Sequence, residues 1–211
     1  LFPDGDTQTG SAEFQRAEKG FSFREALRMR QFWTICFTNL TIVFALMITI
    51  VHIVPHAMDL GLPATAAAGV LSTIAGASMV GRLLIGITAD RAGIRACMIF
   101  CFILLILDFL WLQVAKELWM LYLFAGFYGI GHGGHFTLIS PLVAEHFGIR
   151  SHGVLFGIVV FAGTAGGAAG PILAGHLFDI TGSYSSAFWI CAAVGCTALG
   201  LLLSLRRRVP F

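Results

Sequence analysis

Charged residues are scarce in this 211-residue sequence, at 11% of the chain, whereas hydrophobic residues make up 57%. Soluble domains carry about a quarter charged residues, so the deficit excludes an ordinary soluble protein. The net charge is only +2 and the basic residues form no stripe, so nucleic acid is not an expected partner. The five cysteines have no C-x-x-C pair and no metal-type spacing with histidine, and we interpret them as small apolar packing residues.

Long apolar runs take up most of the chain instead. A bilayer core of about 30 Å requires spans of about 20 residues, and six such segments alternate here with short turns. We therefore predict an all-α membrane protein with six transmembrane helices, in which successive helices are antiparallel neighbours. The predicted spans are approximately residues 32–55, 64–88, 96–114, 118–143, 153–178 and 184–205.

The polar start of the chain differs from the rest. Residues 1–20, interrupted by glycine and proline, predict a cytoplasmic loop or linker ahead of a six-helix transmembrane domain at 21–211. Ser22 and Glu25 fit a capping box that begins a short amphipathic helix at the membrane surface. Because the sequence starts at Leu1 rather than at methionine, we expect a piece of a longer protein or a processed product.

The distribution of lysine and arginine predicts the orientation in the membrane. Lys116 alone lies on one side, Arg82 lies inside a span, and all other basic residues lie on the opposite side. By the positive-inside rule we expect both termini and the second and fourth loops to be cytoplasmic, in a multi-pass protein of the cell membrane. The residues on the cytoplasmic side are Arg16, Lys19, Arg24, Arg28, Arg30, Arg91, Arg95, Arg150, Arg206, Arg207 and Arg208.

A short charged turn joins the second and third predicted spans. Its residues Gly81-Arg82, Gly86, Ala89-Asp90-Arg91, Gly93 and Arg95 resemble the charged loop signature of the major facilitator superfamily, in the copy that joins helices eight and nine of a full transporter. Such loops latch against neighbouring helix ends on the cytoplasmic side. The resemblance therefore implies a gating loop made of Gly86, Asp90, Arg91, Gly93 and Arg95.

Other segments resemble monocarboxylate porters and oxalate–formate exchangers. Ser22 to Trp33 resembles the helix that enters their seventh span, Phe124-Ala-Gly-Phe-Tyr-Gly their tenth span, and Gly163 to Asp179 their eleventh. The chain thus resembles the C-terminal six-helix half of a major-facilitator-type transporter. This implies alternating access to a substrate held between two halves, each a pair of inverted three-helix repeats.

Arg82 is the leading substrate-binding candidate. An ionisable side chain inside a span is costly and marks a pathway, a relay or a buried pair, and a guanidinium can bind a carboxylate bidentately. In the porters that this segment resembles, the matching arginine binds the anion, which implies the same role for Arg82. The alternatives are that Arg82 reaches the cytoplasmic surface or braces the loop at Asp90.

The sequence departs from the pattern of these families at two positions. One turn before that arginine the porters carry an acidic residue, thought to take part in proton coupling, where this sequence has Ser78. The exchangers' lysine in the eleventh helix is also missing, and only His176 is basic there.

Three further polar residues are candidates for substrate binding. His132 and His135 lie in a glycine-rich part of the fourth span, where a neutral imidazole can relay a proton, bond an anion or simply bond helix backbones. Asn39 lines a pore or forms an interhelical hydrogen bond. Asp108, in the third span, is a proton carrier if it faces a cavity, and otherwise pairs with Lys116 or meets headgroup water.

Together these features predict a secondary active transporter of small organic anions of the monocarboxylate type, working by symport or antiport. The expected partners are the anion, protons, the lipid bilayer and a missing N-terminal six-helix half, and no cofactor or metal is expected. The alternatives are a major facilitator transporter of another small solute and a non-transporting half-transporter or membrane scaffold. An enzyme is not expected, because the histidines lack a carboxylate at metal-ligand spacing and no nucleophile lies beside a base.

Overall fold

The computed structural model describes residues 20–205, which form seven helices. The predicted linker lies outside these residues except for Gly20, and so do five of the basic residues used for the orientation. The helices are α1 Phe23–Arg28, α2 Arg30–Asp59, α3 Ala64–Ala92, α4 Ile94–Trp111, α5 Leu118–Phe147, α6 His152–Thr181 and α7 Ser185–Ser204.

Six of these helices are long, and five of them, α2, α3, α4, α6 and α7, are long and apolar enough to cross a membrane. The other, α5, has 30 residues and corresponds to the fourth predicted span. Its histidines His132, His135 and His146, together with its glycines, lower its hydropathy. The all-helical prediction is confirmed, while the apolar-span criterion supports five of the six predicted spans.

Several helices extend into stretches that the sequence predicts as turns. The first predicted span ends at Pro55, but Pro55 lies inside α2, which continues to Asp59. The predicted charged loop is also mostly helical, because α3 runs to Ala92 and α4 begins at Ile94. Only Gly93 separates them, at φ +89°, a conformation that glycine adopts without a Cβ clash.

The main packing partners are not neighbours along the chain. All successive long helices are in contact, as predicted, and α4 with α5 most of all, but the most extensive contacts join α3 with α5 and α2 with α6. Glycines explain this choice. A Cβ at Gly133 would fall on the backbone of Ser78, and one at Gly166 on the backbone of Leu40. Without those side chains the helix backbones can approach closely, as lipid-immersed helices do.

The six long helices form two sets of three, α2 to α4 and α5 to α7, and the contacts between them are symmetric. Each helix of one set can be exchanged with its counterpart in the other, α2 with α5, α3 with α6 and α4 with α7, and the same interfaces result. Under this exchange the α2–α6 and α2–α7 interfaces correspond to the α5–α3 and α5–α4 interfaces. Such a pattern is expected of two inverted three-helix units. The first helices of the units, α2 and α5, meet each other, and the buried Tyr128 hydroxyl on α5 donates to the Leu46 carbonyl oxygen on α2 at 2.8 Å.

The start of α2, the end of α5 and helix α1 lie together at one end of the bundle. The Phe21 backbone N–H donates to the Phe147 carbonyl oxygen at 2.9 Å. The predicted capping box of α1 is confirmed, with the Ser22 backbone N–H donating to Glu25 Oε2 at 2.7 Å. This hydrogen bond lowers the pKa of Glu25. Antiparallel alternation of the helices places the described cations of the predicted cytoplasmic side at this same end, namely Arg24, Arg28, Arg30, Arg91, Arg95 and Arg150.

Candidate functional site

A cavity of about 480 Å³ lies between α2, α3 and α5. Its polar groups are Ser78 and Arg82 from α3 and His132 from α5, while α2 contributes the apolar side chains of Met47 and Ile50. Ser78 and Arg82 are four residues apart, which places both on one face of α3. The structure therefore brings two of the four predicted substrate residues, Arg82 and His132, to one cavity.

Arg82 is an exposed cation deep within a long helix. It lies ten residues before the end of α3 at Ala92, or about 15 Å at 1.5 Å per residue. Within residues 20–205 it forms no ion pair, so it does not brace Asp90. No acidic side chain of this described region lines the cavity. Because ionic hydrogen bonds are stronger in a low-dielectric environment, the cavity suits a small anion.

His132 is half-buried at the inner wall of the cavity. Its Nδ1 lies 3.1 Å from Ser78 Oγ, and its ring packs against Phe136 with centroids 4.9 Å apart. A serine hydroxyl can donate to a neutral imidazole nitrogen or accept from a protonated one. Ser78 can therefore hold this ring in either protonation state.

The buried pair His135 and Asn39 lies behind the cavity and does not line it. Asn39 Nδ2 donates to the Val159 carbonyl oxygen at 2.8 Å, and Asn39 Oδ1 lies 3.1 Å from His135 Nε2. Because Oδ1 can only accept, Nε2 must donate, and neutral His135 then carries no proton on Nδ1. That Nδ1 atom is buried without a hydrogen-bond partner among the described residues. The pair joins α5, α2 and α6.

The predicted gating residues lie at the end of the bundle where α3 meets α4. Asp90 and Arg91 are exposed on the last turn of α3, and Gly93 forms the junction. Arg95 donates from a guanidinium nitrogen to the Leu203 carbonyl oxygen at 2.8 Å, which fastens α4 to the end of α7. Gly86 lies further inside, beside the Thr137 side chain on α5. A gating role for these residues stays a prediction.

Sequence reasoning missed Ser78 in the cavity and Tyr128 in the packing of α5 against α2. Ser78 stands where the porters carry an acidic residue, and its spacing of four from Arg82 indicates a shared helix face. Tyr128, in the segment that resembles the tenth span, is fully buried and links α5 to α2. A hydroxyl in an otherwise apolar and glycine-rich segment is the signal that marks it. No group of three or more metal-type side chains occurs in the described part of the chain.

A family model and several known proteins match this chain in sequence. The family model described as "Major Facilitator Superfamily" matches residues 69–210. Monocarboxylate transporter 7 of Homo sapiens is 36% identical over 160 residues, which cover 74% of this chain and 30% of that protein. Monocarboxylate transporter 12 of Rattus norvegicus is 29% identical over 178 residues, covering 82% of this chain and 36% of that protein. The chain thus spans about a third of the length of these relatives.

Solved structures share the same fold. The POT family transporter PepTSo superposes with a TM-score of 0.74 at 19% identity, covering 82% of this chain and 37% of that one. The fucose:proton symporter FucP of E. coli gives a TM-score of 0.70 at 19% identity, covering 86% of this chain and 45% of the symporter. At these identities the likeness concerns the arrangement of helices alone.

Proposed function

Because this chain belongs to the major facilitator superfamily and resembles monocarboxylate transporters, we propose that it supplies the C-terminal half of a secondary transporter of small organic anions. Helices α2 to α7 are its six spans, and both ends of the chain are cytoplasmic. A second six-helix half completes the substrate cavity, and the two halves rock about the bound anion to give alternating access.

The cavity that contains Arg82 carries this proposal. Arg82 is a cation without an ionic partner in residues 20–205, set among apolar walls that face no described carboxylate. In the proposal its guanidinium binds the carboxylate of the substrate, and the apolar walls contact the short hydrocarbon part. His132 lines the same cavity and supplies a hydrogen bond to the anion. His135 and Asn39 position the helices behind it.

Uptake by reconstituted protein tests the function. The full-length transporter in proteoliposomes should take up at least one of radiolabelled lactate, pyruvate, formate and oxalate in a saturable manner, and unlabelled anions should compete. Glucose, which is neutral, should be neither transported nor a competitor. If none of the four anions moves while the protein is monodisperse and folded, the anion-transport proposal is wrong and only the superfamily membership remains.

Proton coupling should depend on His132 in this chain, because no acidic residue lines the cavity in residues 20–205. A proton on His132 and an anion at Arg82 place opposite charges in one cavity, so binding of anion and proton is mutually favourable. With one proton per anion, an inward gradient of one pH unit should drive about tenfold accumulation, since each 1.4 kcal/mol is a factor of ten. His132→Gln should abolish this accumulation.

An anion-exchange assay distinguishes loss of proton coupling from loss of anion binding. In His132→Gln, exchange of labelled for unlabelled anion at equal pH should persist, since Arg82 still binds the carboxylate. Ser72→Ala, an exposed hydroxyl on α3 outside the cavity, should keep both accumulation and exchange. Accumulation by His132→Gln equal to that of the unchanged protein would contradict the assignment, as would simultaneous loss of exchange in a folded variant.

A further inference from the structure

Asp108 is a buried ionisable side chain, and it lies outside the cavity that contains Arg82. It is located on α4, three residues before the helix ends at Trp111, and only 5% of its surface is exposed. Its Oδ2 atom is buried without a hydrogen-bond partner, and within residues 20–205 the side chain forms neither a hydrogen bond nor an ion pair. Asp108 is therefore not paired with Lys116.

Asp108 lines an apolar groove of about 250 Å³ between α4 and α5. The rest of the lining is hydrocarbon or aromatic, with Leu104, Leu107 and Trp111 from α4 and Leu123, Phe124 and Phe127 from α5. At the rim Leu107 is 58% exposed and Phe127 47% exposed, so the groove opens to the surroundings of the bundle. In the proposed membrane orientation these surroundings are lipid.

The polar chemistry of the groove is a single carboxyl group near one end. The indole nitrogen of Trp111 already donates to the Met120 carbonyl oxygen at 3.1 Å, so it offers no further hydrogen bond. Asp108 lies about 4.5 Å along the helix from Trp111, and Leu104 about 6 Å further in, at 1.5 Å per residue. The carboxyl group thus lies near the level of the bilayer interface, and the apolar part of the groove extends towards the middle of the membrane.

An unpartnered carboxyl group in such surroundings requires either neutralisation or a polar partner. The groove contains no cation among the described residues, which disfavours a phosphate headgroup. A neutral carboxyl group instead matches a ligand with one hydroxyl group above an apolar body. An aromatic and aliphatic groove that is open on one side accepts such a body along its length.

We propose that the groove between α4 and α5 binds a membrane lipid of the sterol type, whose only polar group is one hydroxyl, and that Asp108 forms the hydrogen bond to this hydroxyl. The site is separate from the anion cavity, which lies between α2, α3 and α5. Lipid binding here is independent of whether the chain transports anions.

Photoaffinity labelling tests this site. A diazirine-bearing sterol is added to the full-length protein in phosphatidylcholine nanodiscs, and labelled peptides are mapped by mass spectrometry. Labelling should concentrate on residues 104–127, and excess unlabelled sterol should compete. The corresponding sterane, which lacks the hydroxyl group and can neither donate nor accept a hydrogen bond, should compete at least about fivefold less well, as expected when one hydrogen bond is lost.

Substitutions at Asp108 provide the second arm. Asp108→Leu removes an unpartnered buried polar group, so the variant should fold, yet its competable labelling should fall about fivefold or more. Asp108→Asn keeps a hydrogen-bonding side chain and should retain most of the labelling. Phe100→Ala, on an exposed part of α4 outside the groove, should label normally.

Three results would overturn the proposal. Labelling of folded Asp108→Leu at the unchanged level would exclude a role for the carboxyl group. Labelling spread evenly over the exposed helix faces would mean general contact with the bilayer. Competition by the long-chain amine sphingosine but not by sterol would mean that Asp108 is an ionised partner of a cationic lipid.

Discussion

Replacement of Arg82 by lysine should reduce monocarboxylate uptake about ten- to a hundredfold in proteoliposomes that contain the full-length transporter. Lysine keeps the charge but loses the planar fork that binds both oxygens of a carboxylate. Loss of one charged hydrogen bond costs about 1.5–3 kcal/mol, and each 1.4 kcal/mol is a factor of ten. Initial uptake rates over a range of anion concentrations measure the effect.

Two other arginines provide the comparison for Arg82→Lys. Arg24→Lys, on the exposed surface of α1, should transport at the unchanged rate. Arg95→Lys should have a smaller effect than Arg82→Lys, because Arg95 donates to a backbone carbonyl oxygen at the end of the bundle rather than facing the cavity. An intact Arg82→Lys carrier, or equal defects at Arg82 and Arg95, would argue against a carboxylate site at Arg82.

A single methyl group at Gly133 should destabilise the protein by about 1–3 kcal/mol, the usual cost of overpacking. The new Cβ would fall on the carbonyl oxygen of Ser78 and close to the backbone nitrogen of Arg82, and a backbone cannot move aside as a flexible side chain can. Helices α3 and α5 must then separate. Gly133→Ala should lower the thermal unfolding midpoint in detergent and the yield of monodisperse protein.

Gly126→Ala on the same helix is the matched control. A Cβ at Gly126 meets no atom within 4 Å, and alanine is favoured over glycine inside a helix by about 0.5–1 kcal/mol. The unfolding midpoint of Gly126→Ala should therefore be unchanged or higher. If Gly133→Ala is as stable as Gly126→Ala, the close crossing of α3 and α5 is not determined by the missing side chain.

Local features of the fold could be predicted from the sequence, whereas the choice of packing partners could not. The capping box at Ser22 and Glu25 depends on residues three apart, and its geometry follows from that spacing alone. The pairing of α3 with α5 depends on which small residues face each other. The sequence shows glycine at Gly81, Gly129 and Gly133. However, no local sequence feature indicates whether these glycines contact another helix backbone or lipid.

The candidate site was predictable for α3 and only in part for α5. Ser78 and Arg82, four residues apart, had to share a face of one helix. His132 and His135 are three residues apart, a spacing that turns one side chain about 60° from the other on a helix of 3.6 residues per turn. This turn is enough to direct His132 to Ser78 on α3 and His135 to Asn39 on α2. Which partner each reaches depends on the tertiary packing.

Ser78 contributes to helix packing through its backbone and to the cavity through its side chain. Its carbonyl group forms the surface against which Gly133 packs, while its hydroxyl lies in the cavity beside His132. A change of side chain at this position therefore alters the chemistry of the cavity without changing the backbone atoms on which the helix crossing rests. The lining of the cavity can therefore change at Ser78 while the helix packing stays the same, whereas a side chain at Gly133 would disrupt that packing.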